Sequence, residues 1–168
     1  MKLLLSVFIF LVAVSGYCQS KTYSFVFLHK KSSQDEVPKE QLEKIMAGHL
    51  ANIERLANEG KLIAAGPFEG GGGIFILNTT TIDQANEWLS TDPGIKANRW
   101  DVEILPYTPR FGSVCAAKEP YEMVTYKFIR LIESKDITEH DSAKILLQHN
   151  EYIDELIRKG DIITAGVF

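Results

Sequence analysis

Two segments of this chain, Lys44–Phe68 and Lys144–Phe168, are versions of one another. They read KIMAGHLANIERLANEGKLIAAGPF and KILLQHNEYIDELIRKGDIITAGVF. At a constant offset of 100, ten of the 25 positions are identical: Lys44, Ile45, His49, Ile53, Leu56, Gly60, Ile63, Ala65, Gly66 and Phe68 each meet their own kind. Chance would supply about one or two. The preceding residues repeat as well, Thr22-Tyr23-Ser24-Phe25 resembling Thr125-Tyr126-Lys127-Phe128 with three residues fewer before the second helix. The chain is therefore expected to hold one complete and one cut-short copy of a single α+β unit.

In the first copy, Tyr23, Phe25 and Phe27 alternate with smaller or polar residues, which predicts a half-buried strand ending near Lys30. Pro38 opens a helix at its first turn, where a missing N–H is harmless, and Gly60 closes it. Leu42, Ile45, Ile53 and Leu56 fall on one face of that helix, which predicts packing against a sheet. Lys61–Ala65 reads as a second strand, Gly70–Gly73 as a flexible hairpin turn and Ile74–Leu77 as a third strand. Thr81 and Gln84 form a capping box for a second helix, and Asp92-Pro93-Gly94 stops it. Trp100, Val102 and Ile104 alternate with Asp101 and Glu103 in a fourth strand with one side to the core. The order βαββαβ is ferredoxin-like, an α+β fold with a four-stranded antiparallel sheet and both helices on one face. The bare face needs cover, so a homodimer or an intramolecular pseudo-dimer with the second copy is expected.

Residues 108–120, within the proline-rich stretch from Pro106 to Pro120, read as a linker. The second copy, residues 121–168, supplies a strand, a helix from about Thr138 and a second strand, a partial βαβ repeat. In the ferredoxin-like order the third strand lies between the first and second, so this copy leaves strand edges unpaired. Its strands either pair elsewhere in the molecule or belong to a longer tandem protein, and the fragment is the favoured expectation.

The first residues differ in kind. Met1-Lys2 is followed by an apolar run from Leu3 to Val14, interrupted only by Ser6, and by the small residues Ser15-Gly16. That run is short for a bilayer span and fits a signal peptide over residues 1–18, cleaved before Gln19. Tyr17 disfavours a lipoprotein reading of Cys18. The expected product is an exported protein, periplasmic or secreted, with no stable membrane association after cleavage. Its complete domain would span residues 19–107. Loss of Lys2 would take the formal net charge from −4 to −5, and no basic cluster exceeds Lys30-Lys31, so a nucleic-acid partner is set aside. Cys115 would be the one remaining thiol, unable to form an internal disulfide, and reads as a tolerated linker residue.

His49 lies four residues from both Ile45 and Ile53, which turns it toward the sheet-facing side of its helix. It is either a core histidine bonded to a backbone carbonyl or a general acid or base. His149 stands between Ile145 and Ile153 in the same way, and such recurrence is a poor fit to packing alone. Asp92 is either a helix stop or the acid that orients His49. Gly70–Gly73 leads into a strand rather than a helix, which argues against a phosphate loop. His29, His49, His140 and His149 are too scattered for a metal site, and no cofactor is expected. The Asn78-Thr79-Thr80 sequon predicts at most surface exposure.

The stretch His49-Leu50 to Glu59-Gly60-Lys61-Leu62, then Ala65-Gly66-Pro67-Phe68, the glycine-rich turn and Asp92-Pro93 together resemble the YCII-related family. The resemblance covers Thr22–Tyr107 and returns over the partial second copy. It implies a ferredoxin-like fold that dimerises as an α+β barrel, with a histidine and aspartate site in a cleft. Position by position, the catalytic pair would be His49 and Asp92, with Gly66 and Pro67 binding substrate at the strand end. The second copy keeps His149 and Gly166 but has Val167 in place of the proline and ends before any aspartate partner, so its site is a remnant. The implied activity is acid–base chemistry on a small molecule, of isomerase, dehydratase or lyase type. The alternative is a non-catalytic small-ligand-binding or structural dimerisation module.

Overall fold

The computed structural model describes residues 21–33, 36–112, 114–116, 125–132 and 139–168. The expected signal peptide, residues 1–18, lies outside the described residues. The elements run β1 (Tyr23–Lys30), α1 (Lys39–Asn58), β2 (Leu62–Pro67), β3 (Gly73–Leu77), α2 (Ile82–Leu89), α3 (Pro93–Lys96), β4 (Trp100–Phe111), α4 (Glu139–Lys159) and β5 (Ala165–Val167). All strand pairs are antiparallel, in the order β2-β3-β1-β4-β5. The first four strands give the ferredoxin-like order. Among the described residues no helix is long and apolar enough to cross a membrane.

The strand β1 occupies the middle of the sheet and is buried on both faces, not one: all six residues Tyr23–Leu28 are buried. Side chains alternate across a strand, so two cores form. Val26 and Leu28 join Leu56, Leu62, Phe75, Leu77, Ala85 and Leu89 on the helix side. Tyr23, Phe25 and Phe27 join Ile76 and Tyr107 on the outer side. Rings from residues 125–168 cover this outer side. The Phe128 ring lies 5.6 Å from both Phe25 and Phe27, and Phe168 meets Phe25 at 5.3 Å and Tyr107 at 5.4 Å.

Several local expectations are revised. Pro38 is the N-cap rather than the first helical residue, because its backbone is extended (ψ 140°) while its carbonyl accepts from Leu42. Thr81 caps α2 by accepting from the Gln84 N–H, but its own N–H goes to Thr79 Oγ1, so the reciprocal half of the box is replaced. Asp92-Pro93-Gly94 does more than stop α2: it opens the short helix α3, with Asp92 as N-cap and Pro93 at the first position. The Gly70–Gly73 turn is pinned rather than flexible. Gly72 has a φ of +80°, and a Cβ there would lie 2.2 Å from the Leu28 carbonyl oxygen, while Lys30 Nζ donates to the Gly70 carbonyl. Asn78 is half-buried and donates its amide to the Gly60 carbonyl, so the sequon is not free surface.

The linker starts later than its composition suggests, since β4 continues through Pro106 and Pro109 to Phe111. Prolines are tolerated at sheet edges and bulges, and the register shifts between Pro109 and Phe111. This extension receives β5, pairing Thr108 with Val167 and Pro109 with Gly166. Gly166 lets the strands approach, because a Cβ there would lie 2.6 Å from the Thr108 carbonyl oxygen. Of the two fates expected for the second copy, β5 therefore pairs elsewhere in the molecule. Among the described residues the expected first strand of that copy does not appear. Residues 125–132 carry no strand pairing and lie on the outer face through side chains.

An ion cluster fastens that strap. Arg130 donates from Nη1 and Nη2 to the two Glu103 oxygens at 2.8 and 3.0 Å, and His29 Nε2 meets Glu103 Oε2 at 2.8 Å. The guanidinium also sits 4.9 Å over the Phe27 ring. Hydrogen bonds from Arg130 first, then His29, hold the Glu103 carboxyl down to about 2, from an ordinary 4.5. A depressed acid stabilises its contacts above its ordinary value and loses that contribution as pH falls toward the folded value. Arg130→Ala is expected to speed amide hydrogen exchange in residues 125–132 at neutral pH while leaving β1 protected. Acidifying the wild-type protein from pH 5 to about 2 should lower the protection of the same residues, taken relative to the intrinsic exchange rate at each pH. Unchanged exchange in both experiments would discard the clasp.

Candidate active site

The buried stripe of α1 is polar where a sheet-packing helix is ordinarily apolar. His49, Asn52 and Leu56 are its buried residues, while Leu42, Ile45 and Ile53 are only half-buried. This stripe faces α3 and the helix-side core. The Gly48 position brings the helices together, because a Cβ there would lie 2.9 Å from Pro93 Cγ. Two aromatic residues of the sheet wall the imidazole. The Trp100 ring centroid is 4.8 Å from that of His49, and the Phe75 centroid 5.9 Å, nearly parallel at 25°. Gly94 makes room for Trp100, since a Cβ there would lie 2.5 Å from Trp100 Cζ3.

Across this junction His49 Nδ1 meets Asp92 Oδ2 at 2.8 Å. Asp92 is fully buried and its carboxylate is saturated. Oδ2 also accepts from Asn52 Nδ2 at 3.2 Å, and Oδ1 accepts the Gly94 and Ile95 N–H groups at 2.8 and 3.2 Å. Burial pushes the Asp92 carboxyl up, but the His49 bond and charge, with the two backbone donors, outweigh it and hold it below its ordinary value. An ionised carboxylate only accepts, so His49 Nδ1 carries the proton and donates it. In the neutral ring Nε2 then keeps its lone pair, the form of a general base. Asn52 is itself fixed: its Oδ1 accepts from Arg55 Nη2 at 2.8 Å and from Thr91 Oγ1 at 2.9 Å.

The sequence profile of the YCII-related domain matches residues 24–108. The chain belongs to the YCII-related family. Among solved structures, this YCII-related chain is similar to the 5-chloro-2-hydroxyhydroquinone dehydrochlorinase TftG of Burkholderia phenoliruptrix AC1100, in complex with 2,5-dihydroxybenzoquinone. The identity is 20%, the match covers 49% of this chain and 90% of that one, and the TM-score is 0.38. No curated protein matches it.

Of the residues singled out in the sequence, His49 and Asp92 meet in this YCII-related chain. Gly66 and Pro67 stand apart, in β2 at the far edge of the sheet. Gly66 pairs with Ile74, whose side chain belongs to the outer core, so the Gly66 position faces away from His49. His149 is half-buried on α4 and has no hydrogen-bond partner among the described residues. Cys115 is exposed and free. Among the described residues no three His, Cys, Asp or Glu side chains converge on a metal position. Asn52, Gly48, Gly94 and Trp100 were not anticipated as parts of the site. A signal existed for Asn52 alone: it lies three residues after His49, on the same helix face.

Asp92→Asn keeps an oxygen for the cap but turns an amide donor toward His49. The imidazole must then accept at Nδ1, moving its proton to Nε2. Urea unfolding is expected to show a loss of about 1–3 kcal/mol, and the imidazole ¹⁵N shifts should report the exchanged tautomer. An unchanged tautomer at unchanged stability would refute the assigned bond.

Proposed function

We propose that this YCII-related protein is an exported acid–base enzyme acting on a small organic molecule, by isomerisation, dehydration or elimination. His49 Nε2 removes a proton from substrate and returns it, while Asp92 orients the ring and balances the charge of the imidazolium that forms. The observation that carries this reading is the 2.8 Å bond from His49 to an aspartate whose remaining acceptor sites are all occupied. A carboxylate with four donors needs no protonation to stay buried, so it is fixed in the orienting role. Gly66 and Pro67, which stand apart from His49 in β2, are given no part in the proton transfer of this reading. His149 belongs to the reading as the remnant of a second, truncated YCII-like copy, supported by the ten identities at offset 100. The rings of Phe128 and Phe168 against Phe25 favour an intramolecular pseudo-dimer over a homodimer.

Incubating the protein with a panel of small carbonyl and hydroxy compounds in D₂O, followed by ¹H NMR, tests the proton transfer. His49→Gln should lower any exchange or turnover by about 10²–10⁴-fold with the fold retained. Exchange that survives the substitution would remove His49 from the chemistry. The low exposure of His49, 7%, favours a second reading, a non-catalytic ligand-binding or dimerisation module, in which the pair only braces α1 against α3. Export rests on the positive start and apolar run of residues 1–18. Expression with the full leader should yield a mature chain beginning at Gln19. A cell-retained product still beginning at Met1 would contradict it.

A further inference from the structure

The hydrogen-bonded chain behind His49 does not end at Asp92. His49, Asn52 and Arg55 follow one another at steps of three residues on α1, and each step falls about 60° short of a full helical turn. The polar stripe therefore winds from core to surface: His49 and Asn52 are each 7% exposed, whereas the Arg55 side chain is 41% exposed. Asn52 Nδ2 donates to Asp92 Oδ2 at 3.2 Å, and Arg55 Nη2 donates to both Asn52 Oδ1 and Thr91 Oγ1 at 2.8 Å. The Thr91 hydroxyl faces the Trp88 carbonyl at 2.6 Å and Asn52 Oδ1 at 2.9 Å. Arg55 Nη1 is held by Glu59 Oε1 at 2.7 Å.

A primary amide can turn over, exchanging its donor and acceptor ends. A guanidinium only donates, so Arg55 holds the Asn52 oxygen toward itself and thereby the Asn52 NH₂ toward Asp92. The effect reaches the imidazole through one atom. Asp92 Oδ2 has two lone pairs, and the His49 and Asn52 donors take one each. With Asn52 in place, a single direction of approach remains for the His49 N–H. Without it the carboxylate can pivot about Oδ1, because rotation about the Cβ–Cγ bond of aspartate is soft.

This network is separable in the sequence from the apolar positions of the helix. At the offset of 100, Ile53 and Leu56 return as Ile153 and Leu156, but Tyr152 and Glu155 stand opposite Asn52 and Arg55. An ionised glutamate has no proton to donate to an amide oxygen. The histidine recurs without the network, and there it has no hydrogen-bond partner among the described residues.

We infer that Asn52 and Arg55 are positioning residues of the dyad: Asn52 fixes the Asp92 oxygen that orients His49, and Arg55 fixes Asn52 from the surface. The inference rests on the acid–base reading of His49 for its meaning in catalysis. A partly exposed side chain thus governs how firmly the base is held.

The full chain labelled with ¹⁵N-histidine tests this through the His49 Nδ1 proton, assigned by its loss in His49→Gln. Its rate of exchange with water is measured against the backbone amides of α1. Asn52→Ala and Arg55→Met should each speed that exchange about tenfold while the α1 amides keep their rates. Arg55→Lys, which retains a donor, should recover most of the loss, and Lys44→Met, which removes a cation from the same helix outside the network, should change nothing. Should Asn52→Ala fail to fold, the Arg55 pair carries the test alone. Unchanged Nδ1 exchange in Arg55→Met, or α1 amides accelerated by the same factor, would overturn the inference and leave the dyad standing. A wild-type ring protonated only at Nε2 would overturn the dyad as well. No turnover is needed for any of these readings.

Discussion

One buried carboxylate organises the helix side of this molecule. Asp92 ends one connection, starts α3 and receives donors from two helices at once: the backbone N–H groups of Gly94 and Ile95, and the side chains of His49 and Asn52 on α1. Removing a charged group from water is costly unless every lone pair finds a donor, and here each does. The same four bonds join α1 to α3 and set the tautomer of His49. The helix cap and the candidate acid are thus one group, so the chemistry of the site and the stability of the fold are coupled at residue 92.

The sheet shows a matching division. Its helix face is closed by apolar side chains with the polar dyad set among them, whereas its outer face is closed by rings. Phe128 and Phe168, both downstream of β4, lie on Phe25 and Phe27, and Arg130 ties residues 125–132 to Glu103. The described residues after Phe111 are built into the same sheet rather than a separate one. They supply a fifth strand at the β4 edge and an aromatic cover, and α4 keeps Ile145, Leu146, Leu147 and Tyr152 exposed.

Much of this was legible in the sequence where the signal was local. The order βαββαβ followed from periodicity and turn residues, and the placement of His49 on the inward helix face followed from its spacing to Ile45 and Ile53. Asp92 could be paired with His49 only by resemblance, since 43 residues separate them and no local pattern encodes their contact. Asn52 shares the helix face of His49, but that spacing alone does not say that it meets a buried carboxylate rather than solvent. Gly48 and Gly94 were invisible for a related reason: each is small because of a residue distant in space, Pro93 in one case and the Trp100 ring in the other. The prolines misplaced the linker, because composition does not tell whether a proline N-position faces a neighbouring strand or a bulge.

The central position of β1 has a consequence for how the chain is made. Its neighbours are β3, more than forty residues downstream, and β4, which pairs Tyr23 with Tyr107. The first strand synthesised can find neither partner until most of the domain has left the ribosome, and loops of that size are slow to close. Until then its run of aromatic and aliphatic residues remains uncovered. The strand buried on both faces is thus made first and covered late.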